Sequence, residues 1–186
     1  LPQWPQENDA AWNARKDSSV LYPAFKKAVG VLIGKPLGQP IALGDDIPTR
    51  IEKTLENIDR EGRDIDAFAR DVAQSCIRDG ITWVLADFPP VPQGSTLADE
   101  QRVGANPYLI HIPLANVLGW QRDENGRLIQ FRYLEVVKVP DGQWATKAQT
   151  RVRVWSPGQV EVWTKGDTGW MSDGPKPVSL QEIPVV

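Results

Sequence analysis

The stretch from Asp64 to Asp87 constrains the fold more than any other part of the chain. Ile65, Phe68, Ala69, Val72, Ala73, Cys76 and Ile77 recur at helical spacing and make one apolar stripe, while Arg70, Asp71, Gln74 and Arg78 fall on the side facing water. Asp64 or Asp66 is placed to cap the start, and Gly80 stands where a left-handed terminating residue is wanted. Ile81-Thr82-Trp83-Val84-Leu85-Ala86 is then a continuous apolar run ending at Asp87, short enough for a strand buried on both faces. An amphipathic helix thus feeds directly into an inner strand. A strand of that kind needs covering layers on either side.

Upstream, the pattern stays helical. Ala11, Trp12, Val20 and Leu21 lie among polar residues from Asn8-Asp9 to Leu21, with Asp9 placed to cap, which predicts a first helix interrupted by Pro23. A second runs from Pro23 through Phe25, Ala28, Val29 and Leu32 and is stopped by Gly34 and Pro36. The Gly/Pro-rich stretch to Gly44 reads as a surface connector. Asp45-Asp46-Ile47-Pro48 has the grammar of a helix start, and Ile47, Ile51, Leu55 and Ile58 then fall on one face of the helix that follows.

Downstream, the pattern changes near residue 107. The loop from Phe88 to Pro107 holds Pro89, Pro90, Pro92, Gly94 and Gly104, too many breakers for regular structure, and its length marks it as a mobile or partner-contacting element. Tyr108 to Ile112, Val117 to Arg122, Leu128 to Val139, Thr150 to Trp155 and Gln159 to Trp163 read as strands, with turns at Asp123-Glu124-Asn125-Gly126 and Ser156-Pro157-Gly158. If Val152, Val154, Val160 and Val162 share a buried face, Ser156-Pro157-Gly158 is a three-residue loop. Val154 then lies across from Val160, Arg153 from Glu161 and Arg151 from Trp163, leaving Trp155 and Trp163 on the exposed face. The predicted class is a single α+β domain over residues 1–186, mostly helical over 1–80 and mostly antiparallel β over 81–186.

Composition excludes several functions. With one His and one Cys, neither a classical zinc site nor an intramolecular disulfide is available. A formal charge of −3 argues against tight, counterion-driven binding of nucleic-acid phosphates. No apolar run approaches the length of a bilayer crossing, and the first residues do not resemble a secretory signal. Leu1 is not an initiator Met and Ile183-Pro184-Val185-Val186 reads like the beginning of a further segment, so the chain is expected to be excised from a longer polypeptide.

Candidate chemistry is sparse. His111 lies in a short apolar strand and is expected on its polar face, without a nucleophile motif nearby. Cys76 is expected as a small buried core residue. Asp45-Asp46, Asp64, Asp66, Asp87 and Asp99-Glu100 lack calcium-loop spacing and read as helix caps or solvated loop charges. Gly30-x-x-x-Gly34-Lys35 has neither the spacing nor the Ser/Thr of a phosphate loop. No catalytic, cofactor-binding or metal-ligating residue is assigned. Eight tryptophans, Trp4, Trp12, Trp83, Trp120, Trp144, Trp155, Trp163 and Trp170, are the compositional oddity, and an exposed pair of them on a sheet face suits a sugar platform or a subunit contact.

The ordered motifs resemble the phage portal-protein superfamily, in a branch known only as a domain of unknown function. They begin with Trp12 and Arg15, then Gly30 and Gly34-Lys35-Pro36, Ile58-Asp59, Gly62, Phe68-Ala69, Gly80, and Val84-Leu85-Ala86-Asp87 with Pro89. Past the loop come Asn106-Pro107-Tyr108-Leu109, Val117-Leu118-Gly119-Trp120, Gly126, Leu128, Glu135, Arg151-Val152-Arg153-Val154 and Glu182-Ile183-Pro184. The likeness runs from about residue 4 to the end. Asn106 stands where such sequences more often carry Arg, and the chain stops where a portal subunit continues into its stem and clip helices.

The resemblance implies the wing region of a portal subunit, with stem, clip and crown absent. Its relatives assemble as a dodecameric ring at one capsid vertex, pass double-stranded DNA without sequence specificity during packaging and ejection, and dock the terminase, the capsid shell and head-tail connector proteins. It further implies a non-enzymatic virion protein made in the bacterial host cytoplasm, with no cofactor and no membrane partner. Two other readings stay open: a carbohydrate-binding or glycan-processing β domain using exposed tryptophans and a carboxylate pair, and another virion head-completion protein.

Overall fold

Regular structure begins at Asn8, whose Oδ1 accepts a hydrogen bond from the Ala11 N–H at 2.8 Å and so opens α1, Asp9–Ser18. The computed structural model describes residues 2–20, 22–89, 94, 96–102 and 104–186. The sequence predicts Asp9 as the cap; its backbone is already helical, and its carboxylate sits in the first turn, where negative charge complements the helix dipole. The helix ends by Ser19, and the predicted endpoint Leu21, like Pro90 and Pro92, lies outside the described residues.

α2, Ala24–Gly34, follows Pro23 as expected, although only Val29 of its apolar run is buried. α3, Thr49–Leu55, follows Pro48. Its predicted apolar face is interrupted: Ile58 is buried, but Ile51 is half exposed. The helix stops before Ile58, so helical periodicity does not carry Ile51 and Ile58 to one surface.

α4, Ile65–Asp79, settles the choice of cap, because Asp64 Oδ1 accepts the Ala67 N–H at 2.8 Å. Gly80 takes φ +80° and its N–H returns to the Cys76 carbonyl at 2.9 Å. The packed line runs through the buried Phe68 and Ser75 with the half-buried Val72 between them, at spacings of four and three. Cys76 lies one position off that line and is exposed, as is Ile77, which overturns the expectation of a buried cysteine.

β1, Thr82–Asp87, is hydrogen-bonded along both edges, but it is not buried on both faces as the apolar run predicts: only Trp83 and Leu85 are buried, while Val84 is half-buried and Ala86 exposed. On one side it pairs antiparallel with β2, Tyr108–Pro113, with Val84 opposite His111. On the other lies the C-terminal segment, where Val84 and Val186 exchange backbone hydrogen bonds of 2.8 and 2.9 Å. Between the two strands the predicted irregular loop contains a short helix, α5, Leu97–Arg102. Thr96 and Asp99 cap it reciprocally: the Asp99 carboxylate accepts from the Thr96 N–H and hydroxyl, and Thr96 Oγ1 accepts from the Asp99 N–H.

The remaining strands form an antiparallel five-stranded meander: β3 (Val117–Arg122), β4 (Leu128–Asp141), β5 (Ala145–Ser156), β6 (Gln159–Gly166) and β7 (Gly169–Pro177). β7 has no counterpart in the predicted strands. It carries Gly174, Pro175 and Pro177, which an edge strand tolerates because one row of its backbone groups is not needed for pairing. The β5–β6 register also differs from the prediction. The turn is Pro157-Gly158 alone, with Gly158 at φ +74°, so Ser156 faces Gln159, Trp155 faces Val160, Arg153 faces Val162 and Val152 faces Trp163.

That one-residue change decides which face is buried. Phe131, Tyr133 and Trp155 point inward, and Trp155 is therefore core and not exposed. They pack with Trp83, Leu85 and Ile112 of the small sheet and with Ile183 and Val185 of the tail. Trp83 contacts Phe131 and Trp120 at ring-centroid distances of 5.1 and 5.2 Å. The architecture is α+β in layers: α2 on α4, α4 on the β1–β2 pair, and that pair on the inner face of the meander. The outer face of the meander carries Val152, Val154 and Trp163.

Candidate functional site

Polar side chains converge where the helices, the small sheet and the meander meet. On β4 and β5 the alternation that points Phe131, Tyr133 and Trp155 inward also points Glu135 and Arg153 to that face, nearer its rim. Arg153 Nη1 reaches Asp87 Oδ2 at 3.0 Å and Arg153 Nε reaches Glu135 Oε1 at 3.0 Å. The three side chains keep only 23%, 14% and 16% of their accessibility, for Arg153, Asp87 and Glu135 respectively. Burial opposes charge on Arg153, but Tyr133, Glu135 and Asp87 outweigh it and hold its pKa above the ordinary arginine value. The sequence expectation that Arg153 pairs with Glu161 on the outer face is thereby overturned; Glu161 instead accepts from the Ser172 hydroxyl.

The cluster extends toward the helices. Tyr108 donates its hydroxyl to Asp87 Oδ2 at 3.1 Å, and burial, then the Asp87 charge, raises its pKa. The Arg60 guanidinium lies 5.4 Å from the Tyr108 ring centroid. Arg60 adopts φ +64° in a loop organised by the buried Asp59, which accepts the N–H groups of Glu61 and Arg63 at 2.8 and 3.2 Å and also binds the Arg63 guanidinium. Arg63 continues to Asp71 on α4 at 2.9 Å. Burial works against the Asp59 charge, but those donors prevail and keep its pKa below the usual aspartate value. The Ile58 carbonyl meanwhile accepts the Leu109 N–H at 2.8 Å, tying this loop to β2.

His111 is not on a solvated strand face. It points toward α4, with its ring edge-on to Phe68 at 6.4 Å and Nε2 2.8 Å from the Thr82 hydroxyl. Burial lowers its pKa. Among the described residues no carboxylate hydrogen-bonds to it, so the Thr82–His111 pair lacks the third group that orients a catalytic base. No family model matches the chain, and no curated protein matches it.

The other candidates are dispersed. Asp64 and Asp99 cap helices, Asp66 accepts the Ile41 N–H at 2.7 Å and pins the α2–α3 connector, and Asp45 and Asp46 are exposed on that connector. Among the described residues no group of three or more His, Cys, Asp or Glu is placed to hold a metal ion, and no helix is long and apolar enough to cross a membrane. Trp4 and Trp12 stack under Arg15 and Lys16 at 4.9 and 4.5 Å. Trp144, at the β4–β5 tip, is 91% exposed. Trp163 and Trp170 flank a shallow cleft of about 460 Å³ on the outer face of the meander, with Leu118, Arg132, Val152 and Val154. Trp163 thus shares its face with Val152 and Val154 but not with Val160 and Val162, contrary to the predicted register.

Sequence reasoning did not assemble the Asp87–Glu135–Arg153 cluster. Its one local signal is polar residues continuing the inward alternation past Tyr133 and Trp155. Asp59 and Tyr108 connect to this cluster through the 58–63 loop and β2.

Proposed function

We propose that the chain is the wing region of a structural subunit of a phage portal ring, which passes double-stranded DNA at one capsid vertex and docks the terminase, the shell and head-tail connector proteins. The observation that carries this reading is the distribution of apolar surface. The charged residues of the central cluster, Asp87, Glu135 and Arg153, are engaged with one another, whereas large apolar side chains stand exposed at opposite ends of the stack of layers. At the helical end Tyr22, Phe25, Val31 and Leu32 are all more than half exposed. At the sheet end Leu118 and Trp170 are 52% and 44% exposed beside Trp163.

A closed ring built from one kind of subunit needs two different, complementary surfaces on each copy. Opposed apolar surfaces meet that need. The formal charge of −3 also suits a conduit, since a wall that gripped phosphates would oppose sliding. In this reading the subunit works in the virion, is non-enzymatic and leaves ATP hydrolysis to the terminase. Electron microscopy of the full-length protein tests it: a ring with a central pore is expected, and a protein that stays monomeric at high concentration contradicts it.

A second reading has its own observation. Two indoles beside a guanidinium on an open sheet face resemble a sugar platform. Saturable binding on a glycan array, lost in Trp170→Ala, would favour a carbohydrate-binding domain.

A further inference from the structure

Arg132 is the unusual residue of the outer sheet face. Among the described residues its guanidinium makes no hydrogen bond and no ion pair, and its Nε is wholly buried without a partner. The side chain lies across β3 at a bulge, where Gly119 takes φ +151° and any Cβ would come within 2.8 Å of an Arg132 terminal nitrogen. Glycine at 119 therefore makes room for the cation to lie flat in the floor of the Trp163–Trp170 cleft. Lys138 and Lys165 point to the same face by the strand register, and Glu161 on that face accepts a hydrogen bond from the Ser172 hydroxyl. A half-buried cation with no direct ion-pair partner among the described residues, ringed by two indoles and Leu118, fits a carboxylate carried next to an aliphatic side chain.

This chain presents such a group elsewhere. The connector between α2 and α3 exposes Leu43, 39% accessible, beside the exposed carboxylates of Asp45 and Asp46, and neither carboxylate has an ion-pair partner among the described residues. Asp66 holds the connector in place through the Ile41 N–H, so its ordering cost on docking is reduced. The connector joins two helices at the helical end of the layers, and the cleft is at the sheet end. A contact between them on one copy is therefore excluded by the layering, while a head-to-tail contact between neighbours uses both.

We propose that the Arg132 cleft receives the Leu43–Asp46 connector of a second copy, with Asp45 or Asp46 on the guanidinium and Leu43 against Trp163 and Trp170. This rests on the ring reading above and specifies its interface. The test uses the full-length protein, with ring fraction followed against concentration by sedimentation velocity and electron microscopy. Arg132→Glu alone, and Asp45→Arg with Asp46→Arg alone, are each expected to raise the concentration for half-assembly by roughly tenfold or more. All three changes together are expected to recover most of that loss, because the charges are again opposite. Asp45→Asn with Asp46→Asn, on an exposed connector, gives the same direction should Arg132→Glu not fold. The proposal is overturned if the wild type forms rings and these variants assemble within about twofold of it, or if the combined variant is no better than the worse parent. A wild type that forms no ring defeats the ring reading itself.

Discussion

His111 shows how one side chain couples this fold to pH. Its pKa in the folded chain lies below the ordinary 6.5, chiefly because burial against α4 disfavours the charged imidazolium. Asp71 pulls in the opposite direction, and Arg63 and Arg78 reinforce the lowering. Between the folded and unfolded values, the unfolded chain binds a proton that the folded chain does not. The contribution of His111 is therefore complete above pH 6.5 and is lost as pH falls from there through the folded pKa. Urea midpoints measured between about pH 5 and 8 should decline on acidification, and His111→Gln, which keeps a partner for the Thr82 hydroxyl, should flatten that decline.

The joint between β1, β4 and β5 depends on a single cation. Removing it with Arg153→Met leaves the Asp87 and Glu135 carboxylates largely buried and unpaired, at an expected cost of about 3 kcal/mol in urea denaturation. Adding Asp87→Asn and Glu135→Gln should restore part of the loss, because no uncompensated charge then remains. Asp87 and Arg153 stand 66 positions apart, which is why local pattern does not pair them. The elements they sit on are more legible. α4 and β1 follow from an apolar stripe, an Asp cap and a terminating glycine, all local signals. The β5–β6 register does not, because matching valine to valine across the strands misleads: Val152 and Val154 lie on the outer face, opposite Trp163 and Glu161, while Val160 and Val162 lie on the inner one, opposite Trp155 and Arg153. The core is instead filled by Phe131, Tyr133 and Trp155, whose larger buried area decides the face. Strand β7 escapes for a related reason: as an edge strand with a bulge opposite Glu161 and Trp163, it accepts glycine and proline that read as loop. α5 was within reach, since Thr96-x-x-Asp99 has the spacing of a reciprocal cap.

Across the whole molecule, stability should be graded from the meander outward. Phe131, Tyr133 and Leu85 retain at most 2% accessibility, so amides of β1, β4 and β5 can exchange only when the core itself opens. α1 has no buried residue, and α2 has only Val29. A helix of about ten residues is marginal in water unless a packed face supports it. What holds α1 is local: the Asn8 cap and the Glu7–Arg15 pair at 2.6 Å, both near the surface. Hydrogen exchange on the unassembled protein should therefore find α1 amides close to unprotected rates, α2 intermediate, and the centres of β4 and β5 protected to the limit of global unfolding. Assembly should change this order selectively. If neighbours cover the helical end, α2 and the connector after it gain protection in the ring, while the already buried strands gain none. A monomer in which α1 is as protected as β5 would mean that the helices are supported by packing within one copy, and the exposed apolar side chains at that end would then lose their role as an interface.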